Sequence, residues 1–294
     1  MEKAFECRRV VKKFLDFTLG PVDLDLEPGM VLGLIGPNGA GKTTLLQCLV
    51  GLLRTNSGEI RIFGRLNDLN RPQWKLDIGY VGDFQAFWDE NKSGQTNLGY
   101  LSQFYPDWSH KKASGLAERF RLPLDKRIKA LSTGNRVKLS LVMALAHSPR
   151  LLILDEPTSG MDPVVRSEVL DTLFETLETG DRSILYATHI LSDIRRLADD
   201  LAFVDNGRIR LRTRKEALTE RWRKVTFRHG ESDIRLQAAI GYRREGREHQ
   251  LITPDFEATL KELKNLGAEN IRDIHLSIEE IAVQILKGGM RCGN

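Results

Sequence analysis

The segment Gly36-Pro37-Asn38-Gly39-Ala40-Gly41-Lys42-Thr43-Thr44 limits the possible folds of this chain more than any other feature. It follows an apolar run, residues 31–35, and precedes Leu45, Leu46, Leu49 and Val50, which recur at helical spacing as far as Gly51. The order is strand, glycine-rich loop, helix. The segment matches G-x-x-x-x-G-K-[ST], in which glycines let successive backbone N–H groups converge on phosphate oxygens at the positive end of a helix. In that pattern Lys42 reaches the β- and γ-phosphates, Thr43 offers a hydroxyl to Mg2+, and Thr44 reinforces phosphate binding. A glycine-rich turn without function is the plain alternative, and the strand and helix on either side speak against it.

A second feature is Leu151-Leu152-Ile153-Leu154-Asp155-Glu156, an apolar strand that delivers two adjacent carboxylates at its C-terminal end. Ligands sit at that end of parallel strands. Asp155 suits a second magnesium contact through water, and Glu156 suits a general base acting on an attacking water. Another strand at 183–186, separated from the first by a helical pattern over 164–177, gives the βαβ alternation of a parallel sheet. Residues 22–26 alternate as a half-buried strand does, and the runs 201–204 and 208–211 read as a hairpin through Asn206-Gly207. From Lys92 to Pro149 the apolar residues recur at helical intervals, which predicts an inserted helical subdomain over about 85–150.

Composition narrows the class further. With 294 residues, 41% hydrophobic and 29% charged, the chain is expected to bury a large core, one large domain accompanied by a small one. Its longest apolar runs, 139–146 and 151–154, fall well short of the roughly 18–20 residues that cross a bilayer. No secretory leader is visible in the first residues, so residence in the cytoplasm is expected. Cys7, Cys48 and Cys292 have no C-x-x-C spacing, which speaks against a zinc site or a disulfide framework. A formal net charge of +4 does not imply nucleic acid, and the basic stretch 208–228 reads as a solvated face.

The stretch Leu131-Ser132-Thr133-Gly134-Asn135, about twenty residues before Asp155, is similar to the L-S-G-G-Q signature of the ABC ATPases. Taken with the two motifs above, the chain resembles that family over about residues 1–213. Thr133 and Asn135 stand where the family commonly has glycine and glutamine. Ser132 can donate its hydroxyl, Gly134 permits close backbone approach, and the following helix offers unpaired N–H groups to an anion; an ordinary N-cap is the plain alternative. Ser159-Gly160-Met161-Asp162 is similar to the family's D-loop, and His189, after a strand, to its switch histidine. Phe14 lies where the family places an aromatic that stacks on adenine, though a core phenylalanine beside Phe17 is the alternative. At the place of the family's Q-loop glutamine stands Asp83, with Gln85 two residues on, and either is a candidate magnesium contact.

The resemblance implies an α/β P-loop NTPase fold: a RecA-like parallel sheet core with an antiparallel β subdomain and the inserted helical subdomain, over residues 1–213. Residues 222–294 are expected to form a small α+β appendage, with strands at 225–228 and 271–276, a charged loop at 243–248, and helices at 256–266 and 278–286. It further implies ATP and Mg2+ as ligands, and a head-to-tail dimer with a second ABC ATP-binding subunit in which ATP lies between Lys42 of one and Ser132 of the other. A separate transmembrane permease is the implied partner, with the chain peripheral to the inner face of the membrane, and the subgroup most resembled is the ABC-2-type exporters. No nucleic acid partner is expected. The alternative is an ABC ATPase acting on ribosomes or DNA, against which stand the single cassette and the lack of a long coiled-coil insertion.

Overall fold

The computed structural model describes residues 2–82, 88–178, 182–230, 234, 236–237 and 239–287. Strands β1 (Phe5–Lys13) and β2 (Thr18–Leu26) pair antiparallel, and the chain then enters β3 (Val31–Ile35) and α1 (Lys42–Leu49). It returns to the edge of β1 with β4 (Ser57–Ile62) and β5 (Arg65–Leu66), completing an antiparallel sheet of order β2-β1-β4-β5. Strand β6 (Ile78–Val81) is followed by three helices, α2 (Gly94–Ser102), α3 (His110–Arg119) and α4 (Thr133–Leu145), which make up the helical insertion. Strand β7 (Leu151–Asp155), α5 (Pro163–Glu178), β8 (Ser183–Thr188), α6 (Leu191–Leu197), β9 (Asp200–Asp205) and β10 (Arg208–Arg214) come next.

These strands assemble a central sheet of order β10-β9-β3-β8-β7-β6, parallel throughout except for the β9–β10 hairpin. At the hairpin tip Asn206 and Gly207 both take left-handed backbone, φ 47° and 73°, as a two-residue turn between twisted strands requires. The continuous apolar runs of the central strands have a direct cause: both faces are covered. Leu32, Leu34, Leu151, Ile153, Leu185 and Ala187 pack toward α1 and the antiparallel sheet. Their neighbours Val31, Ile35, Leu152, Leu154, Ile184 and Tyr186 pack toward the helical insertion, α5 and α6. Alternation in such strands selects between two apolar cores rather than between core and water.

Beyond β10 the chain forms α7 (Lys215–Arg221), β11 (Arg223–Arg228), β12 (Ile240–Glu245), β13 (Glu248–Thr253), α8 (Phe256–Asn265), β14 (Glu269–His275) and α9 (Ile278–Leu286). The four strands make an antiparallel sheet of order β12-β13-β11-β14, whose own small core gathers Val225, Phe227, Leu251 and Leu263. The segment 243–248, expected as a charged loop, is the heart of the β12–β13 hairpin, with Arg243 opposite Gln250 and Glu245 opposite Glu248. Its charged residues are exposed on both faces of the hairpin end, so charge density alone misreads it. Helix α9 was grouped by sequence with the appendage, but it packs on β9, β10 and α6, burying Ile278, Ile281, Ala282 and Ile285 in the main core together with Leu218 and Trp222.

Candidate active site

The glycine loop leaves β3 at the C-terminal edge of the sheet and enters α1 at Lys42. Its conformation is enforced by close neighbours. A Cβ on Gly36 would stand 2.3 Å from the Val204 carbonyl oxygen, and Gly41, at φ 104°, would drive one to 2.8 Å from the Phe17 ring. The Gly207 N–H donates to the Ala40 carbonyl at 2.9 Å, so the β9–β10 hairpin braces the loop from behind. Inside the loop the Lys42 ammonium donates to the carbonyls of Gly36 and Pro37 at 2.7 and 3.2 Å. A cavity of about 430 Å³ is lined by Phe17, Glu156 and the continuous run from Pro37 to Thr44.

Glu156 follows β7 with left-handed backbone, φ 49°, a conformation that costs a non-glycine residue on the order of 1 kcal/mol. The surroundings hold it there. Its N–H donates to the Ala187 carbonyl at 2.9 Å, and its own carbonyl accepts from the Ser159 N–H at 3.1 Å. The carboxylate accepts from Thr188 Oγ1 at 2.9 Å, from the His189 backbone N–H at 3.1 and 3.3 Å, and from His189 Nδ1 at 2.9 Å. Lys42 Nζ stands 3.4 Å from its Oε1. Burial works to raise the Glu156 carboxyl, but the hydrogen bonds from His189 and Thr188 and the Lys42 charge outweigh it and hold the group below the usual glutamate range. Thr188, which the motif reading passed over, is identifiable only by its place beside His189.

A second cavity, about 650 Å³, brings Thr43, Asp155, Glu156 and Ser159 together with Thr133 and Arg136 of α4. Asp155 is nearly buried at the end of β7, and Thr43 is exposed at the start of α1. Ser132 caps α4, its hydroxyl accepting the Asn135 N–H at 3.3 Å, and Gly134 lies in open space with only Val165 within 4 Å of an added Cβ. Asp162 caps α5, its Oδ1 accepting the N–H groups of Val164 and Val165 at 3.0 Å each. Phe14 is 46% exposed beneath Lys12, and it is Phe17, with its ring centre 6.4 Å from that of Phe14, that lines the loop cavity. Asp83 and Gln85 lie outside the described residues.

The donor set suits a small hard cation bound jointly with phosphate. Among the described residues no group of three or more His, Cys, Asp or Glu side chains could hold a metal by itself. A threonine hydroxyl and one carboxylate beside a phosphate cradle match the way Mg2+ is held by few protein oxygens plus the phosphates of its substrate.

A glycine loop between β3 and α1, and an acidic strand, β7, one place removed from β3 across β8, define a P-loop NTPase of RecA-like sheet order. Residues 19–159 match the family model described as ABC transporter. The chain is 31% identical over 236 residues to the ABC transporter ATP-binding protein YtrB of Bacillus subtilis (strain 168), covering 80% of this chain and 77% of that protein. It is 34% identical over 214 residues to the Nod factor export ATP-binding protein I of Cupriavidus metallidurans, covering 71% and 70%. For other curated relatives the chain spans less than two thirds of their length, 58 to 64%. A solved structure of an ATP-binding subunit of an ABC transporter superposes with a TM-score of 0.67 at 25% identity, over 74% of this chain and 92% of that one. The chain belongs to the ABC transporter ATP-binding family.

Proposed function

We propose that this chain binds ATP with Mg2+ and hydrolyses it as the motor subunit of an exporter. The observation that carries the reading is the meeting of Lys42, Glu156 and His189 at the glycine loop, with Glu156 kept ionised in a partly buried position. In this reading the loop N–H groups and Lys42 hold the phosphates. Thr43 and Asp155 hold Mg2+, which when bound neutralises charge on the phosphate oxygens. Glu156 accepts the proton of the attacking water, and its lowered carboxyl keeps it a base across the neutral range. His189, whose Nδ1–H donates to Glu156, keeps that carboxylate aimed at the attacking water. Phe17, together with or in place of Phe14, supplies the aromatic wall beside the nucleotide.

The capped N-terminus of α4 at Ser132 and Gly134 then serves the nucleotide of a second cassette, as does Asp162, and two copies close around two ATP molecules. No described helix is long and apolar enough to cross a membrane. A transmembrane permease is the proposed partner and the inner face of the cell membrane the proposed location, as the relatives named ABC transporter ATP-binding proteins suggest. Export is favoured by the relative named for Nod factor export. The test is ATP hydrolysis by wild type and Glu156→Gln, with size-exclusion chromatography with and without Mg-ATP. The expected result is ATP binding retained by Glu156→Gln, turnover lowered about a hundredfold or more, the range reported for loss of a positioned acid or base, and a dimer that persists with nucleotide. Wild-type turnover in the variant would overturn the general-base role.

A further inference from the structure

Behind the site lies a carboxylate that the chemistry above does not use. Asp193, on α6, is 1% exposed. Its Oδ1 accepts from Arg166 Nε and Nη2 at 2.7 and 2.5 Å, and its Oδ2 accepts from Thr158 Oγ1 at 2.5 Å and the Tyr186 hydroxyl at 2.9 Å. Arg166 Nη2 also donates to Ser192 Oγ at 2.5 Å. Burial and the nearby Asp193 charge push the Tyr186 phenol well above its usual value, so it remains a donor. Each carboxylate oxygen thus carries two donors, and the charge is paired with a guanidinium.

The donors come from separate segments, each tied to a site residue. Thr158 follows Glu156 by two positions, Arg166 follows Asp162 by four in the first turns of α5, and Asp193 itself follows His189 by four. Tyr186 lies on β8 two residues before Thr188. A buried carboxylate is tolerated only when its partners are in place, and one whose two oxygens each take two donors favours the single geometry that keeps all four. That geometry fixes the Glu156 turn, the start of α5 and the His189 segment relative to one another.

We propose that Asp193 is a positioning residue for hydrolysis: by holding Thr158, Arg166 and Tyr186 it sets where Glu156, and the His189 that aims it, stand, and touches no reacting atom. The proposal rests on the reading of Glu156 as general base. Misplacement of a reacting group by about 1 Å costs on the order of a hundredfold in rate. Asp193→Asn is therefore expected to lower kcat by at least about tenfold while KM and nucleotide Kd stay within about twofold, because the loop that binds phosphate is not part of the network.

The test is steady-state hydrolysis and nucleotide binding by the full chain carrying Asp193→Asn, Thr158→Val or Tyr186→Phe, each confirmed folded by thermal melting. A double variant with Glu156→Gln completes it. Thr158→Val and Tyr186→Phe, which each remove one hydroxyl from the network, should lower kcat several-fold with KM unmoved. The double variant should turn over no more slowly than Glu156→Gln alone, since a residue acting through Glu156 has nothing left to position. Wild-type kcat in folded Asp193→Asn, or a loss that multiplies in the double variant, overturns the proposal. If Asp193→Asn does not fold, wild-type kcat in both hydroxyl variants overturns it. Wild-type turnover by Glu156→Gln removes the general-base reading and, with it, the positioning role that rests on it. An inactive Glu156→Gln beside an unaffected Asp193→Asn removes the positioning role alone.

Discussion

Glu156 combines two costs at one position, left-handed backbone and a partly buried charge, the second offset by its hydrogen bonds and a close ammonium partner. Residues that carry such strain persist where surrounding bonds over-determine them, and here His189, Thr188 and Ala187 supply those bonds. Because its folded carboxyl lies below the ordinary value of 4.5, its ionised form contributes stability that is fully present above that value. The contribution is lost as pH falls through the folded value. Chemical denaturation of wild type and Glu156→Gln between pH 7 and pH 3 is therefore expected to give a stability difference in favour of wild type that shrinks only below about pH 4.5. A difference independent of pH across that range would mean the carboxylate is not held by charge. At this scale Lys42, Asp155, Glu156 and His189 were legible in the sequence, because each sits at a fixed offset from a strand end. Thr188 and Asp193 were not, because their partners lie 27 to 35 positions away along the chain or are read only once the strands are in register.

Among the elements, α9 has the clearest local signature and the least expected destination. Ser277 and Glu280 form a reciprocal cap, the Ser277 hydroxyl accepting the Glu280 N–H at 3.2 Å and the Glu280 carboxylate accepting the Ser277 N–H at 2.9 Å. Its apolar stripe, Ile278, Ile281, Ala282 and Ile285, lies on β9, β10 and α6. Ile281→Ala is expected to destabilise the whole ATP-binding domain by about 3 kcal/mol through an unfilled cavity, and Ser277→Ala by about 1 kcal/mol through loss of the cap. Denaturant titration followed in the main domain checks both. If Ile281→Ala left that transition unmoved, α9 would be a bystander. Helix periodicity located α9 to the residue, since an amphipathic stripe needs no partner to be read; which surface the stripe covers is set by the path of the intervening sheet.

For the molecule as a whole, the boundary near Thr213 is a boundary in sequence more than in packing. Leu218, Trp222, Leu276 and the α9 stripe complete a core to which the central sheet, the helical insertion, α5 and α6 also contribute. A chain ending after Thr213 is expected to expose that face, to melt below the full chain and to bind a hydrophobic dye, as measured by thermal melting and dye fluorescence; a truncated chain as stable as the full one would show the C-terminal part to be dispensable. The sequence by itself determined the strand, glycine loop and helix, the acidic strand, the βαβ alternation and the Asn206-Gly207 hairpin. Each of these is written in local spacing, backbone freedom or apolar periodicity. It missed the strands of 243–248, where a hairpin end exposed and charged on both faces imitates a loop. Only the tertiary structure decided that β8 lies between β3 and β7, that Phe17 rather than Phe14 faces the loop cavity, that α9 returns to the main core, and that Asp193 stands behind Glu156 and His189. The physical reason is common to all four: each depends on contacts between segments far apart in the chain, and such contacts are selected by how whole elements bury their apolar faces together.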